Sequence, residues 1–468
     1  MVKAIKNNKE KILEAINAGK IDKVEKGYEN LIDEIILRMK RIGLTEIFNE
    51  SIDDGRSSQN GQIPMEMLIV MSIAAKMKLK SALTDIPYAI SDAELMLELG
   101  WNIEMGKRKM EDGAISDGAI RNYVRSYEEK REDYKTAFTE MYNKYVIKVK
   151  EKMDINPTIH ILDCTEEEVN LSNSNYEKSG VIKDKDGVRR GYKMGTLRGV
   201  FGDRGLIEEM AMGPIERNDL KVCEGMLRGS VHLKPGDVVI NDRGFISREM
   251  VNHLKGERGV DVYVPAKSNM IIYKEAVKKA IEVGKWEKHP NAKRASQRIA
   301  FVGQMGEKWQ GEEPEKDVGI NVCVVRDTEA KDREYYVFMT TDTKATGKQI
   351  VKTYEIRPEI EEDYRQLKDF WGLEEFYSTK YLDITFHNVM VLIGYLYFQI
   401  YMELDEGAAY AGRSLPVILK NWVPVRKASF VVYANGFFAV FGFLEIMLLY
   451  SSLDPHIQLL LQSHFVFV

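Results

Sequence analysis

Residues 354–370, YEIRPEIEEDYRQLKDF, combine an acid, bases and a phenol at helical spacing. On a helix that turns about 100° per residue, one narrow face carries four of them: Tyr354, Arg357, Glu361 and Lys368. The carboxylate of that face could bind a metal ion, and its two cations could bind phosphate groups. An ordinary ladder of surface ion pairs is the alternative, because Glu361 and Arg365 stand in the favourable i, i+4 order.

Two further acids follow short apolar runs that are typical of β-strands. Asp163 follows the run in ILDCT, and Asp242 follows the run in VVIND. If these strands are parallel neighbours, both carboxylates emerge at the carboxyl edge of one sheet. Two such acids repel each other unless a cation neutralises them, and Mg²⁺ prefers carboxylate and phosphate oxygens. Each Asp could instead be a simple turn residue.

The elements that must position these residues divide the chain into helical and mixed regions. Apolar residues recur at intervals of three and four near the start, whereas short strand-like and helical runs alternate later, which is typical of a mixed α/β sheet. We expect the following regions: an α-helical domain at 1–150, a sheet core at 155–269, a mainly β insertion at 270–342, the rest of the core with the Glu361 helix at 343–405, and C-terminal helices at 406–468.

One helical segment near the start, residues 115–130, separates apolar and basic faces. Its apolar stripe consists of Ile120, Tyr123, Val124 and Tyr127. Arg121 and Arg125 lie together on another face, which would suit a helix laid against DNA phosphates. A solvated face of a helical bundle is the alternative, since no helix-turn-helix signature accompanies the segment.

Composition sets broad limits on the function. The chain has 468 residues and a net charge of -5, which neither favours nor excludes a nucleic-acid partner. We interpret its three cysteines as reduced core thiols. The start is charged rather than continuously apolar, so we expect no secretory signal and a cytosolic protein. The apolar stretches 389–398 and 436–450 are expected to be buried core helices rather than membrane spans.

The three acids and the spacing Y-(2)-R-(3)-E-(6)-K together resemble a known signature. It is that of bacterial insertion-sequence transposases of the insertion-sequence four type, a branch of the DDE transposases with an RNase H-like fold. The resemblance covers about residues 155–405, and the long segment between Asp242 and Glu361 is similar to the family's β-rich insertion. The N-terminal region is only generally similar to the family's DNA-end-binding domain.

The resemblance implies DNA cleavage and joining at the ends of a mobile element. Asp163, Asp242 and Glu361 would be the catalytic acids and would hold two Mg²⁺ ions, for which Mn²⁺ could substitute. The implied DNA contacts are Tyr354, Arg357 and Lys368, to which we add Arg365, Arg121 and Arg125. The expected partners are double-stranded DNA, as terminal inverted repeats and target, and a second protomer on paired ends in the bacterial cytoplasm.

Pro358 is a departure from the family pattern, because an aromatic residue is frequent there. A proline removes one backbone hydrogen bond and tends to kink a helix, so the positions of Tyr354 and Arg357 depend on it. Trp286 or Trp309 of the insertion could stack on a displaced base instead.

Two basic runs, from Lys183 to Arg204 and at 285–298, could follow the DNA backbone or could be solvated faces. Two alternatives to a transposase also stay open. One is a catalytically silent DNA-binding repressor derived from such an element. The other is an RNase H-like nuclease that does not join DNA ends.

Overall fold

The computed structural model describes thirteen segments of the chain: residues 6–26, 30–56, 63–80, 82–90, 92–101, 115–130, 134–184, 187–202, 204–309, 317–330, 333–410, 412–421 and 429–464. The strands are β1 (Lys6–Asn7), β2 (Lys23–Lys26), β3 (Ile159–Val169), β4 (Gly180–Asp184), β5 (Gly187–Phe201), β6 (Arg204–Pro214), β7 (Val238–Asn241), β8 (Asp261–Pro265), β9 (Glu287–Lys288), β10 (Arg298–Gln304), β11 (Asn321–Arg326), β12 (Tyr335–Thr340), β13 (Ser429–Ala434) and β14 (Phe437–Gly442).

The helices are α1 (Lys9–Asn17), α2 (Leu31–Arg41), α3 (Phe48–Ser51), α4 (Met65–Met77), α5 (Ala93–Glu98), α6 (Asp117–Lys130), α7 (Ala137–Met153), α8 (Asp219–Gly229), α9 (Arg248–Asn252), α10 (Ile271–Val283), α11 (Gly347–Tyr354), α12 (Pro358–Trp371), α13 (Tyr381–Glu403), α14 (Asp405–Ala408), α15 (Leu415–Asn421), α16 (Phe443–Ser452) and α17 (Pro455–His464). The helices and strands together form two compact units. The sheet unit comprises residues 142–366, and the helical unit comprises residues 1–141 and 367–468.

A large mixed sheet forms the sheet unit, so the α/β class expected from the sequence is confirmed. Its strand order is β4-β5-β3-β7-β8-β12-β11-β10-β9, and β6 pairs with β5. β7 and β8 run parallel to β3, whereas β5 and β6 form an antiparallel meander beside it. Parallel strands are usually covered on both faces, which explains why most residues of β7 and β8 are apolar.

The core of the sheet unit lies where α8, α9 and α10 cover the central strands. Leu162 of β3, Val239 of β7 and Val262 of β8 are buried in one apolar cluster together with Leu227 and Ala276 of the covering helices. Complete burial of each larger side chain contributes about 1.5 to 3 kcal/mol. This packing fixes β3 and β7 as neighbours and thereby fixes the residues that follow them.

The region expected to be a mainly β insertion extends the same sheet. β12 pairs antiparallel with β8, and β11, β10 and β9 follow outward from it. The region also contains α10, whose Ile272 and Ala280 pack into the apolar cluster. The strands of residues 270–342 therefore share one hydrogen-bonded ladder with the central strands.

The helical unit contains strands where the sequence interpretation expected only helices. β1, β14, β13 and β2 form a four-stranded sheet. Asn435 and Gly436, both with positive φ of 52° and 77°, connect β13 to β14. An Asn-Gly pair between alternating apolar residues is a strong signal for a two-residue hairpin turn. The stretch 436–450 is consequently a strand followed by α16, and not one core helix.

Helix α13 is the long apolar helix of the helical unit. Its length and mean hydropathy of 1.2 would allow it to cross a membrane, but 94% of the apolar window is buried inside the protein. It packs against α4 and α2. The prediction of a buried core helix at 389–398 is confirmed. The structure places this helix in the helical unit, whereas the sequence division assigned residues 343–405 to the sheet core.

A buried charge network lies at the start of β3. His160 Nδ1 lies 2.6 Å from Glu208 Oε2, and His160 Nε2 lies 3.3 Å from Asp237 Oδ2. Lys150 pairs with the other oxygen of Glu208. Burial acts to lower the pKa of His160, but the hydrogen bonds to Asp237 and Glu208 raise this pKa above its ordinary value of 6.5. The folded protein thus retains a proton that the unfolded chain releases.

This network predicts a pH-dependent stability. Because the pKa of His160 is higher in the folded state, its contribution is complete below about pH 6.5 and is lost as the pH rises through the folded-state pKa. We expect the loss of free energy of unfolding caused by His160→Gln, measured with urea, to become smaller as the pH rises from about pH 6 to about pH 9. A loss that stays constant or grows across this range would contradict the prediction.

Candidate active site

Asp163 and Asp242 lie on adjacent parallel strands. β3 and β7 pair in register from Ile159 with Val238 to Leu162 with Asn241, so each Asp is the next residue after the last pair. The predicted parallel neighbours are therefore confirmed. One detail differs from the sequence interpretation, because β3 does not end at Asp163. It continues to Val169 against β5, and Asp163 is opposite Thr196 in that antiparallel pairing.

Asp242 is fixed by the turn that ends β7. Residues Arg243–Phe245 form one 3₁₀ turn, in which the Phe245 amide donates to the Asp242 carbonyl at 3.0 Å. Phe245 is buried in the apolar cluster of the sheet unit. Burial of this aromatic side chain anchors the turn and holds the Asp242 backbone beside β3.

The segment with the third acid consists of two helices and not one. α11 ends at Tyr354, α12 begins at Pro358, and three turn residues connect them. Arg357 N donates to Tyr354 O at 3.0 Å and Ile360 N to Arg357 O at 3.2 Å, so the connection is a tightened turn. Pro358 fits the first position of α12 because no amide hydrogen is needed there. Tyr354 and Arg357 therefore do not continue the helix of Glu361, as the single-helix prediction required.

Arg357 bridges two of the predicted acids. Its Nη2 lies 2.8 Å from Asp163 Oδ2, and its Nη1 lies 2.6 Å from Glu361 Oε1. The Arg357 and Asp163 side chains are 15% and 13% exposed, whereas Glu361 is 56% exposed. The buried Nε of Arg357 has no hydrogen-bond partner among the described residues. The guanidinium thus brings Glu361 to the strand that carries Asp163.

The electrostatics of the site reflect its burial and its crowded acids. Burial raises the pKa of Asp163 to about 6, the Arg357 charge opposes this rise, and Asp242 and Glu361 add to it. Burial also raises the pKa of the Tyr354 phenol, with smaller contributions from the same acids and an opposing one from Arg357. The three carboxylates therefore share one electrostatic environment with Tyr354 and Arg357.

A second set of contacts holds α12 against the strands. The Tyr364 hydroxyl donates to the Asp163 carbonyl at 2.8 Å and lies 2.7 Å from Thr196 Oγ1. Buried Arg198 of β5 pairs with Asp363 and, at 2.9 Å, with Glu359. The sequence interpretation did not identify these contacts between α12 and the strands. Their sequence signal is the excess of acids on α12 beside the face that carries Glu361.

Three of the remaining predicted DNA contacts have an acidic partner near them in the chain. Arg365 pairs with Glu362 at 2.6 Å. Lys368 belongs to the helical unit and lies 2.8 Å from Glu374. On α6 the predicted apolar stripe is buried. Arg121 and Arg125 are exposed on that helix, and Arg121 lies 3.8 Å from Asp117.

Three of the six described bases in the run from Lys183 to Arg204 pair with acids of the sheet unit. Arg189 pairs with Glu166, Glu168 and Asp184, and Lys193 pairs with Asp219 at 2.7 Å. Arg198 is buried in the pairs with α12 described above. Lys185, Asp186 and Asp203 of this run lie outside the described residues. These pairs favour a structural role for the three paired bases over the DNA contact that the sequence left open.

The two tryptophans that could have stacked on a base, Trp286 and Trp309, pack against other residues of the protein. Trp309 is buried, and its Nε1 lies 3.4 Å from Asn252 Oδ1. Trp286 is half-buried against the apolar cluster, with its ring 6.3 Å from that of Tyr335. Base stacking needs an accessible ring face, so the structure does not support Trp309 in that role.

The carboxylates fit a magnesium ion by their chemistry but are not assembled as its site. Among the described residues, no three His, Cys, Asp or Glu side chains are grouped so as to hold a metal ion. The predicted site of Asp163, Asp242 and Glu361 is therefore not preformed. Their oxygens are nevertheless the ligand type that Mg²⁺ prefers, and Arg357 supplies the positive charge between two of them.

The mixed sheet defines an α/β protein in which Asp163 and Asp242 follow paired residues of adjacent parallel strands. Residues 173–397 match the family model of the transposase DDE domain. This match supports a DDE transposase. It includes Asp242 and Glu361 and begins after Asp163 in the chain. Among curated proteins, no match to the chain was found.

Proposed function

We propose that the protein is a bacterial transposase of the insertion-sequence four type. It would cut DNA at the ends of its element and join these ends to target DNA. The observation that carries this proposal is the placement of two acids on adjacent strands and the arginine that connects the third acid to one of them. Asp163 and Asp242 follow paired residues of adjacent parallel strands, and Arg357 connects Glu361 to Asp163. The match to the transposase DDE domain supports the same function.

In this proposal Asp163, Asp242 and Glu361 hold Mg²⁺ and are the catalytic acids. When bound, Mg²⁺ would lower the pKa of the attacking water or 3'-hydroxyl and would stabilise the leaving oxygen of an in-line displacement. Arg357 and Tyr354 hold the phosphate beside the scissile bond, since a guanidinium can donate two parallel hydrogen bonds to phosphate oxygens. Tyr364 keeps α12 against β3 through the Asp163 carbonyl, and so preserves the position of Glu361.

The fold and the partners are part of the same proposal. An antiparallel meander followed by two parallel strands supports the RNase H-like core that the resemblance implies. The partners would be terminal inverted repeats, target DNA and a second protomer on paired ends, in the bacterial cytoplasm. Lys368, Arg365, Arg121 and Arg125 stay proposed DNA contacts, although Arg365 and Lys368 would have to exchange their acidic partners for phosphates.

The test is an in vitro reaction with Mg²⁺ and duplex DNA taken from the sequence that flanks the coding region. We expect nicking at the element ends, exposure of a 3'-hydroxyl and joining to a second duplex. Binding without nicking would support the silent repressor, and nicking without joining would support the nuclease. Either result would contradict the proposed transposase.

A further inference from the structure

Glu355 is the first residue of the turn between α11 and α12. Its carboxylate contacts three residues of one loop that is distant in the chain. Asn291 Nδ2 donates to Glu355 Oε1 at 3.0 Å, and Arg294 Nε lies 2.7 Å from the same oxygen. His289 Nε2 lies 3.9 Å from it. All three partners belong to residues 289–297, which connect β9 to β10 and which we name the tethered loop.

The tethered loop has a defined conformation of its own. The His289 amide donates to the Gln297 carbonyl at 3.3 Å, and the Lys293 amide donates to Asn291 Oδ1 at 3.0 Å. Gln297 Nε2 donates to Asp327 Oδ2 at 2.8 Å, which attaches the end of the loop to the strand region beyond β11. The loop is thus a small ordered unit, and Glu355 attaches its other side to the candidate active site.

The loop presents positive charge while it is attached. The Arg294 side chain is 47% exposed even though it pairs with Glu355, whose side chain is only 20% exposed. Lys293 is exposed beside it, and Lys288 is exposed where the loop begins. The Glu355 charge is therefore directed into the protein, and the accessible surface of the loop is basic.

The position of Glu355 connects this surface to the site. It lies between Tyr354 and Arg357, which share the electrostatic environment of Asp163. A shift of the 355–357 turn would move Arg357 and the loop together. An acid this near a proposed phosphate site would repel DNA unless cations neutralised it, and the tethered loop supplies that neutralisation.

We propose that Glu355 is a positioning residue that holds the tethered loop beside the Arg357 turn, so that Lys293 and Arg294 contact the DNA backbone next to the scissile phosphate. This inference rests on the proposed function, because the partner is the duplex that the site would cut. Lys and Arg contacts to phosphates add affinity without sequence preference and make binding salt-dependent. The contact of Glu355 with the tethered loop would fix where Lys293 and Arg294 bind the DNA backbone, and so would place the scissile phosphate at the site.

The test compares Glu355→Gln and Arg294→Gln in the full chain, with a duplex of the flanking DNA as the probe. Glu355→Gln removes a negative charge, so we expect binding to be unchanged or tighter. It also releases the loop, so we expect cleavage of the bound duplex in a single turnover to be about tenfold slower. Arg294→Gln should weaken binding and reduce the slope of log affinity against log salt by about 0.9.

Glu334→Gln is the matched control, because Glu334 forms an exposed ion pair with Arg326 at 2.6 Å in the same region without contact to the turn. It should leave binding, salt slope and cleavage unchanged. A merely structural Glu355 would lower thermal stability without slowing cleavage by the bound, folded protein. Wild-type cleavage by Glu355→Gln, or a wild-type salt slope in Arg294→Gln, would overturn the proposal.

The failure of the proposed function can be separated from the failure of this inference. If the wild-type protein binds the duplex but does not cut it, the transposase proposal fails. Hydrogen exchange then tests the tether alone. DNA should protect the amides of residues 291–297 in the wild type and in Glu334→Gln but not in Glu355→Gln. Equal protection in all three proteins would overturn the tether.

Discussion

Asp163→Asn is expected to abolish metal-dependent DNA cleavage, and Asp242→Asn and Glu361→Gln are expected to do the same. Loss of one of three carboxylates removes a ligand and leaves several kcal/mol of transition-state charge unstabilised, so the rate should fall by about a thousandfold or more. DNA binding should stay within about twofold, because each substitution removes negative charge and no phosphate contact. Single-turnover nicking of an end-labelled duplex with Mg²⁺ measures the first effect, and binding with Ca²⁺ measures the second.

Glu362→Gln is the control for these variants. Glu362 is adjacent to Glu361 on α12, but it pairs with Arg365. We expect its nicking rate to match the wild type. If any of the three site variants retains wild-type nicking, that residue is not a catalytic ligand.

Arg357→Gln is expected to bind Mn²⁺ at least about tenfold more tightly than the wild type in the absence of DNA. The guanidinium contacts both Asp163 and Glu361, so a metal ion must compete with a fixed positive charge for the same oxygens. Removal of that charge eliminates the competition. The same variant should cut DNA far more slowly, because it lacks the proposed phosphate contact. Calorimetric titration of Mn²⁺ at about pH 8, where the Asp163 carboxyl is ionised, measures the affinity.

Arg365→Gln is the matched control for the metal titration. It removes an exposed arginine from the same helix, where Arg365 pairs with Glu362. Its Mn²⁺ affinity should equal that of the wild type. Unchanged or weaker Mn²⁺ binding by Arg357→Gln would show that Arg357 does not compete with a cation at these carboxylates.

The sequence predicted the parts of the site that local pattern determines. The apolar runs before Asp163 and Asp242 predicted strands, and the stripe of α6 predicted its buried face. Helical spacing across 354–370 left open whether the helix continues through Pro358, because periodicity places residues at angles whether or not the backbone is continuous. Pro358 carried the relevant information, since it is favoured at the first position of a helix.

Partners that are distant in the chain could not be predicted in this way. The charges of Arg198, Asp363 and Glu355 look like those of any solvated surface until the fold brings their partners to them. The pairing of β2 with β13 is similar, because no local signal in Lys23–Lys26 specifies a partner beyond residue 428. The hairpin of β13 and β14 was predictable, since Asn435 and Gly436 are its turn signal.

The discontinuous helical unit also has a consequence for how the chain is made. Its sheet joins β1 and β2, which precede the sheet unit in the chain, to β13 and β14, which follow it. During translation the strands of the sheet unit can pair with one another before β13, the partner of β2, has been synthesised. Contacts between such distant residues form slowly and late. A ribosome-bound chain that has not reached residue 429 therefore lacks the strand with which β2 pairs, and this sheet can be completed only after the sheet unit has been synthesised.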